Sequence, residues 1–252
     1  MTYSIVARDP ESGTVAIAVA SRFFAVGSVV PHVRRDVAVA TQAFVNPMWG
    51  IEGGARLQAG ASAPDVIADL VSLDAGQAQR QCHLVDGQGE IAAHTGGACI
   101  DWAGHVKGPG VSVAGNMLAG PDVVAASLEA YLAAGDIPMP DRMLASLRAG
   151  EAAGGDRRGR QAAALRVHQG QDYASLDLRV DDHADPLDEL DRLLDVARER
   201  FVYFADCMGT QENFAGTTDR TELDSTLAEL ERSRKTEGRT SRSKASDPVT
   251  CY

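Results

Sequence analysis

The sequence has few aromatic residues, few cysteines and fewer basic than acidic residues. Aromatic residues make up 5% of the 252 positions, and the net charge at pH 7 is −11. An acidic surface repels polyanions, so we expect no nucleic-acid partner. The cysteines form no CxxC pair and match no common zinc-ligand spacing, so we expect free thiols in a reducing compartment. They are Cys82, Cys99, Cys207 and Cys251.

Long apolar runs are also missing. No stretch is long enough to cross a bilayer, and the first residues lack the basic and apolar segments of a signal peptide. We therefore expect a cytoplasmic protein with no membrane partner. The glycine-rich stretch GGDRRGRQ (154–161) lacks the GxxxxGK[ST] pattern of a phosphate loop, so nucleotide binding is not expected either.

What the sequence does contain is an alternation of strand-like and helix-like segments. TYSIVAR (2–8) and TVAIAVAS (14–21) flank turn residues and predict a hairpin. Strands that pair as hairpins, with helices arriving in pairs, favour an α+β fold with antiparallel sheets and helices on their outer faces. Further strands are predicted over 36–44, 81–86, 90–96, 111–118, 162–168 and 173–180, and helices over 46–60, 62–74, 123–135, 141–150 and 187–204.

The composition changes towards the end of the chain. Residues 215–251 contain no aromatic residue and are rich in Ser, Thr, Arg and Glu. We predict one domain over residues 1–206 and a polar tail over 207–252. Such a composition is typical of mobile segments, and we expect at most one amphipathic turn around 223–233.

Several long strings resemble one known family. In order they are residues 2–32, ATQAFVNPMWG (40–50), HTGGACIDWAGH (94–105), GNMLAGPDVV (115–124) and AGEAAGGDRRGRQ (149–161). They resemble the family catalogued as domain of unknown function 1028, over roughly residues 2 to 204. That family is similar to the N-terminal nucleophile hydrolases, which implies a four-layer αββα sandwich of two antiparallel sheets flanked by helices. The resemblance supplies no substrate.

The resemblance gives the opening MTYSIV a chemical meaning. N-terminal nucleophile hydrolases attack an amide carbonyl with the first side chain of the mature protein, and its free α-amine serves as the base. An α-amine has a pKa near ~7.7–8.0, so a useful fraction is neutral at pH 7. Removal of Met1 makes Thr2 the implied nucleophile of an amidohydrolase that cleaves a small amide. Three alternatives stay open: Thr2 is an ordinary strand residue, Ser4 is the nucleophile, or the protein is a non-catalytic scaffold that binds a ligand or partner.

Other residues are candidates for the same site. SRFFAVG resembles the segment after the second strand of threonine hydrolases, so Arg22 is the candidate basic residue, which would depress the amine pKa or hold a carboxylate. The alternative is that Arg22 is an ordinary arginine at a strand end, facing water. Asn116 stands at a strand-to-helix junction, where it either donates to an oxyanion or caps the helix. Asp156 and Arg157 either orient polar groups of the substrate or belong to a solvated turn.

Four polar residues are predicted to line the substrate pocket: Gln42, Asn46, His94 and His105. His94 and His105, with Cys99 and Asp101, also raise a metal-dependent hydrolase as an alternative. Their spacing fits no recognised ligand set, so we expect neither a metal nor an organic cofactor.

The basic residues predict the charge of the substrate. Arg22 and the cluster at 157–160 would form a positive patch on an acidic protein, so we expect a small substrate that carries a carboxylate or a similar anionic group. Sandwich proteins of this kind often pair through their helices, and we expect a homo-oligomer.

Overall fold

A computed structural model describes residues 2–245 of the chain. The chain divides into two compact units, Met1–Leu190 and Asp191–Tyr252. The first is an α+β fold with two antiparallel sheets. No helix within residues 2–245 is both long and apolar enough to cross a membrane. Met1, whose removal we expect, Cys251 and the last residues of the predicted tail lie outside the described residues.

Ten strands and seven α-helices are described. The strands are β1 (Thr2–Arg8), β2 (Val15–Ser21), β3 (Pro31–Val33), β4 (Ala38–Ala43), β5 (Arg80–Val85), β6 (Ile91–Thr95), β7 (Gly104–Gly108), β8 (Val111–Asn116), β9 (Ala162–His168) and β10 (Leu176–Val180). The helices are α1 (Pro47–Gln58), α2 (Ala63–Leu73), α3 (Asp122–Ala133), α4 (Met139–Ala152), α5 (Pro186–Ala197), α6 (Phe201–Ala205) and α7 (Thr221–Thr236).

The strand order places the start of the chain in the middle of the larger sheet. Sheet A has the order β10-β9-β2-β1-β8-β7, and sheet B has the order β3-β4-β5-β6. All neighbours are antiparallel. β1 is thus hydrogen-bonded on both edges, which fixes residues that would otherwise fray at a terminus.

The inward faces of the two sheets change character from one end to the other. At one end they form an apolar cluster that includes Val6 and Ile17 of sheet A with Ala38 and Val85 of sheet B. Side chains alternate along a strand, so the same faces continue into a polar end. Its members are Thr2, Ser4, Ser21, Gln42, Gln81, His83 and Asn116, all buried.

Helices cover the other faces of the sheets. α1 and α2 pack on sheet B, where Trp49 and Leu70 join Val39 and Leu84 in a second apolar cluster. α3 and α4 pack on sheet A. A Cβ at Gly150 of α4 would lie 2.9 Å from the Tyr3 ring, so this close approach requires glycine.

Local signals explain several boundaries that the sequence predicts. Ser62 caps α2 by accepting a hydrogen bond from the Asp65 N–H, with a proline in the first turn. The predicted hairpin of β1 and β2, the pair β5 and β6, and the pair β9 and β10 are confirmed.

Other predictions are wrong in detail. Strands β3 and β7 were not predicted: β3 has only three residues, and β7 begins and ends with glycine at the edge of sheet A. The helix predicted over 187–204 is divided into α5 and α6, because Arg200 has φ −151° and leaves helical geometry. In the second unit the predicted single turn is a 16-residue helix, α7, with ion pairs at i,i+4 spacing such as Arg220–Asp224.

Candidate active site

Thr2 lies at the polar end of the inter-sheet layer, at the centre of sheet A. The register places it opposite Asn116 of β8. On the other side its Oγ1 lies 3.1 Å from Oγ of Ser21, the last residue of β2. Thr2 is 6% exposed and Ser21 is 3% exposed. The sequence analysis missed Ser21, although its place at the end of a strand next to β1 was a usable signal.

Gln81 forms hydrogen bonds with several of the buried polar groups near Thr2 and Asn116. Its Nε2 lies 2.8 Å from the carbonyl oxygen of Gly115 and 3.1 Å from that of Gly104. Carbonyl oxygens only accept hydrogen bonds, so this end of the Gln81 amide is the donor. Its Oε1 therefore accepts from Gln42 Nε2 at 2.9 Å and from Asn116 Nδ2 at 3.0 Å. The Asn116 amide is thereby fixed with its nitrogen towards Gln81.

The same reasoning assigns the direction of the Ser4–His83 contact. Gln42 Nε2 also donates to the Ala114 carbonyl, so Gln42 Oε1 accepts from the Ser4 hydroxyl at 2.7 Å. Because the Ser4 hydroxyl already donates its one hydrogen to Gln42, its oxygen accepts the hydrogen bond from His83 Nε2–H at 2.8 Å. Burial lowers the pKa of His83 to about 3, and the ring is neutral at pH 7. His83 therefore does not act as a base towards Ser4, and neither side chain is exposed.

His105 joins this network, whereas His94 does not. Gln81 Nε2 lies 3.0 Å from Thr95 Oγ1, which lies 2.9 Å from His105 Nδ1. Burial lowers the pKa of His105, and so do its electrostatic interactions with Lys107 and His94. His94 instead faces α1: its Nε2 is 2.9 Å from the Gln77 carbonyl oxygen, and its ring packs near Trp49. Within residues 2–245 there is no group of three His, Cys, Asp or Glu side chains that could hold a metal ion.

Asn46 is the N-cap residue of α1. Its side-chain oxygen accepts from the Met48 N–H at 3.1 Å, and its Nδ2 donates to Asp74 at 3.0 Å. Asp74 also accepts from Trp49 and Arg80, and these hydrogen bonds hold the carboxyl pKa well below its usual range, against the effect of burial. Asn46 lines a separate cavity of about 220 Å³ beside Asp74.

Asp156 fastens the glycine-rich loop to the end of β2. Its carboxylate accepts from the Arg22 N–H at 2.8 Å and from the Arg158 N–H at 2.9 Å, and it forms an ion pair with the Arg158 guanidinium. Arg22 Nη1 donates to the Arg158 carbonyl at 2.7 Å. Asp156 is 5% exposed, while Arg22 and Arg157 are exposed. The Asp156 carboxylate thus uses its hydrogen bonds and its ion pair to hold the loop to the end of β2.

A cleft of about 340 Å³ opens beside Asn116. Two of its wall residues, Ala43 (φ 70°) and Met117 (φ 53°), adopt left-handed backbone conformations. Such a conformation costs a non-glycine residue about 1–2 kcal/mol and is concentrated at functional sites. The lining residues are Ala43, Phe44, Gln79, Ala98, Cys99, Ile100, Asn116 and Met117. Of the residues that the sequence predicts for the site, Asn116 alone is in this lining.

Comparisons with known proteins identify the first unit. The sequence profile of DUF1028, described as a family of unknown function, matches residues 2–190. The chain is also similar to a crystal structure of protein SPO2555 from Silicibacter pomeroyi, described with the same family name. The identity is 32% and the TM-score is 0.80, over 86% of this chain and 96% of that chain. A search of curated proteins found no match. The chain described here belongs to the DUF1028 family.

Proposed function

We propose that the protein is an amidohydrolase of the N-terminal nucleophile type, in which Thr2 attacks a small amide after Met1 is removed. One observation carries the proposal. The register puts Thr2 at the start of the central strand, between the Ser21 hydroxyl and Asn116, whose side chain lines the adjacent cleft. A nucleophile with polar neighbours on both sides and a cleft next to it is the arrangement that this chemistry needs.

The arrangement of the elements supports the proposed fold, a four-layer αββα sandwich. Ser4 of sheet A contacts Gln42 and His83 of sheet B, so the two sheets face each other. α3 and α4 lie against sheet A, and α1 and α2 against sheet B. Fold alone does not establish an activity, so the proposal depends on the site.

The proposed reaction uses groups at the terminus itself. Thr2 Oγ1 forms a bond to the amide carbonyl carbon while its proton passes to the α-amine, directly or through a water molecule. One N–H of Asn116 is engaged by Gln81, and the other is the proposed donor to the oxyanion. The C–N bond then breaks, and the leaving amine takes up the proton. Water hydrolyses the resulting Thr2 ester and releases the acid.

The first test is the chemical state of the terminus. Intact-mass measurement of the purified protein should show that Met1 is absent. A protein that keeps Met1 completely and still hydrolyses an amide would overturn the mechanism, because its α-amine would not belong to Thr2.

The second test compares two threonines of equal exposure. Thr2 and Thr14 are both 6% exposed, and Thr14 lies immediately before β2, at the opposite end of sheet A from Thr2. On a panel of small amides, ureas and lactams, Thr2→Ala should lower kcat by about 10³-fold or more. Thr14→Ala should retain wild-type kcat within about twofold. Full activity of Thr2→Ala would overturn the proposal.

The second candidate is a ligand-binding scaffold without catalysis. The low exposure of Thr2 is the observation that favours it. Under this alternative, a small amide binds equally to wild type and Thr2→Ala, and neither protein releases amine.

A further inference from the structure

The two sides of Thr2 in sheet A have different chemistry. β2 ends beside Thr2 with Ser21 and continues into Arg22, whereas β8 ends opposite Thr2 with Asn116 and continues into Met117. β2 and β8 lie on either side of β1, and neighbouring strands are about 4.8 Å apart, so the ends of β2 and β8 are separated by about 10 Å, a span that one small molecule bound over Thr2 can bridge.

The β8 side is an apolar cleft, and none of its lining residues within the described range 2–245 is charged. Gln79 and Asn116 are its polar members, and the other lining residues are Ala43, Phe44, Ala98, Cys99, Ile100 and Met117. Phe44 and Ile100 are 68% and 56% exposed at the cleft. A carboxylate placed here would lose water without gaining a cation, whereas a phenyl or branched alkyl group would remove apolar surface from water.

Phe44 is held in its exposed position by specific contacts. Its N–H donates to the Gln79 carbonyl at 3.2 Å, and its carbonyl accepts from Arg80 Nη1 at 2.5 Å. The Arg80 guanidinium carbon lies 5.2 Å from the Phe44 ring centroid. The Arg80 charge is neutralised by Asp74 at 3.0 Å. Arg80 therefore anchors the aromatic wall and does not offer a free positive charge to the cleft.

The β2 side presents a free positive charge. Arg22 is exposed and donates through Nη1 to the Arg158 carbonyl oxygen, but no carboxylate between residues 2 and 245 forms an ion pair with it. The nearby Asp156 is occupied by the Arg22 main chain and by Arg158. A guanidinium without a carboxylate partner is suited to bind one from a ligand.

We propose that the substrate is an N-acyl amino acid: an amide that joins an apolar acyl group to an amine carrying a carboxylate. The acyl group occupies the cleft at Phe44, and the carboxylate lies at Arg22. This assignment rests on the proposed function. The acyl group is placed in the cleft because it stays attached to Thr2 until water arrives, while the amine leaves through the exposed side.

The test is a panel of four amides measured with the complete protein. Phenylacetyl-glycine and acetyl-glycine carry the carboxylate, and N-propyl phenylacetamide and N-propyl acetamide lack it. Each favourable group should raise kcat/KM for amine release about tenfold, so phenylacetyl-glycine should be the best substrate. Phe44→Ser should abolish only the preference for the phenyl group, and Arg22→Gln only the preference for the carboxylate.

Two matched control variants show whether the changes in substrate preference are specific to Phe44 and Arg22. Phe214 is 96% exposed, and Arg56 forms an exposed ion pair with Asp69. Phe214→Ser and Arg56→Gln should leave both preferences unchanged. Loss of either preference in its control variant would overturn the assignment.

Binding to Thr2→Ala separates this inference from the proposed function. Titration calorimetry with the four amides should show the same order of affinity without turnover. Such an order, with no amine release by wild type, would support the substrate class and overturn the hydrolase. Turnover or binding without either preference would overturn the substrate class. Preference for N-benzyl succinamate, in which the acyl group carries the carboxylate, would overturn the placement of the acyl group in the cleft.

Discussion

Replacing Gln81 by methionine should destabilise the first unit strongly. Methionine keeps the length and flexibility of the side chain but removes the amide, so the volume of the buried site changes little. Gln81 is completely buried, and its amide holds groups from both sheets. The substitution therefore tests the hydrogen-bond network rather than the packing.

The size of the effect follows from the groups that lose a partner. Gln42 keeps the Ala114 carbonyl, and Thr95 keeps His105. The Asn116 amide nitrogen and the carbonyls of Gly104 and Gly115 lose the hydrogen bond that Gln81 supplied. At about 1 kcal/mol for each of these three groups, the free energy of unfolding should fall by about 3 kcal/mol.

Urea unfolding followed by tryptophan fluorescence measures this directly. Both tryptophans, Trp49 and Trp102, belong to the first unit, so the signal reports on that unit. With a slope of about 2 kcal/mol per M urea, the midpoint should fall by about 1.5 M. Gln88→Met, in an exposed turn, is the control and should stay within about 0.5 kcal/mol of wild type. An unchanged midpoint for Gln81→Met would refute the network.

Two further predictions concern buried groups. The His83 pKa is about 3 in the folded protein and about 6.5 in the unfolded chain. Between these two pH values His83 is protonated in the unfolded chain but stays neutral in the folded protein. The unfolding free energy should therefore fall as pH drops from about 6.5 towards 3, and His83→Gln should show a smaller fall in the same urea titrations; equal falls would contradict the assignment. Tyr3→Phe removes the hydroxyl that donates to the Leu147 carbonyl and Glu151, and should cost about 1–2 kcal/mol by urea midpoint. Tyr203→Phe, in α6 outside the first unit, should change the urea midpoint of the first unit by less than the equivalent of about 0.5 kcal/mol, and an equal loss in both variants would contradict a specific role for the Tyr3 hydroxyl.

The sequence predicted the fold best where the pattern is long. TYSIVAR and VAIAVAS each extend over seven residues of continuous strand character, and Ser62 with Pro64 gives a clear start to α2. β3 was missed because three residues, PHV, show no periodicity. α7 was underestimated because its stability comes partly from spaced charges such as Glu231–Lys235, which a count of apolar residues does not register.

The site was only partly predictable. The sequence predicts Thr2 through the family resemblance, and Gln42 and Asn116 through their places near the ends of predicted strands; the structure places all three in the buried polar end between the sheets. Gln81 and His83 were missed, although two polar residues at alternate positions of the predicted strand QCHLVD indicate a polar patch on one face. Their importance depends on which carbonyl groups approach them from the other sheet, and that is tertiary information.

Asn46 and His94 are predicted pocket residues that have other partners in the structure. Both have the residue type expected of a pocket, but the structure places Asn46 on Asp74 and His94 on the Gln77 carbonyl. Both partners lie in the segment between α2 and β5, far from Asn46 and His94 in sequence, so only the tertiary structure brings them together. Their contact with substrate stays a prediction.

The fixed hydrogen-bond directions between the sheets also determine where protons can travel. Hydroxyl and imidazole groups pass protons by exchanging a donated hydrogen for an accepted one, whereas a carboxamide keeps its hydrogens on nitrogen. Gln42 and Gln81 stand between Ser4 and Asn116 in the chain of hydrogen bonds. Their carboxamides therefore block proton transfer from His83 towards Thr2 and Asn116. Any proton given up by Thr2 must therefore be received at the terminus, by its own amine, by the Ser21 hydroxyl or by solvent.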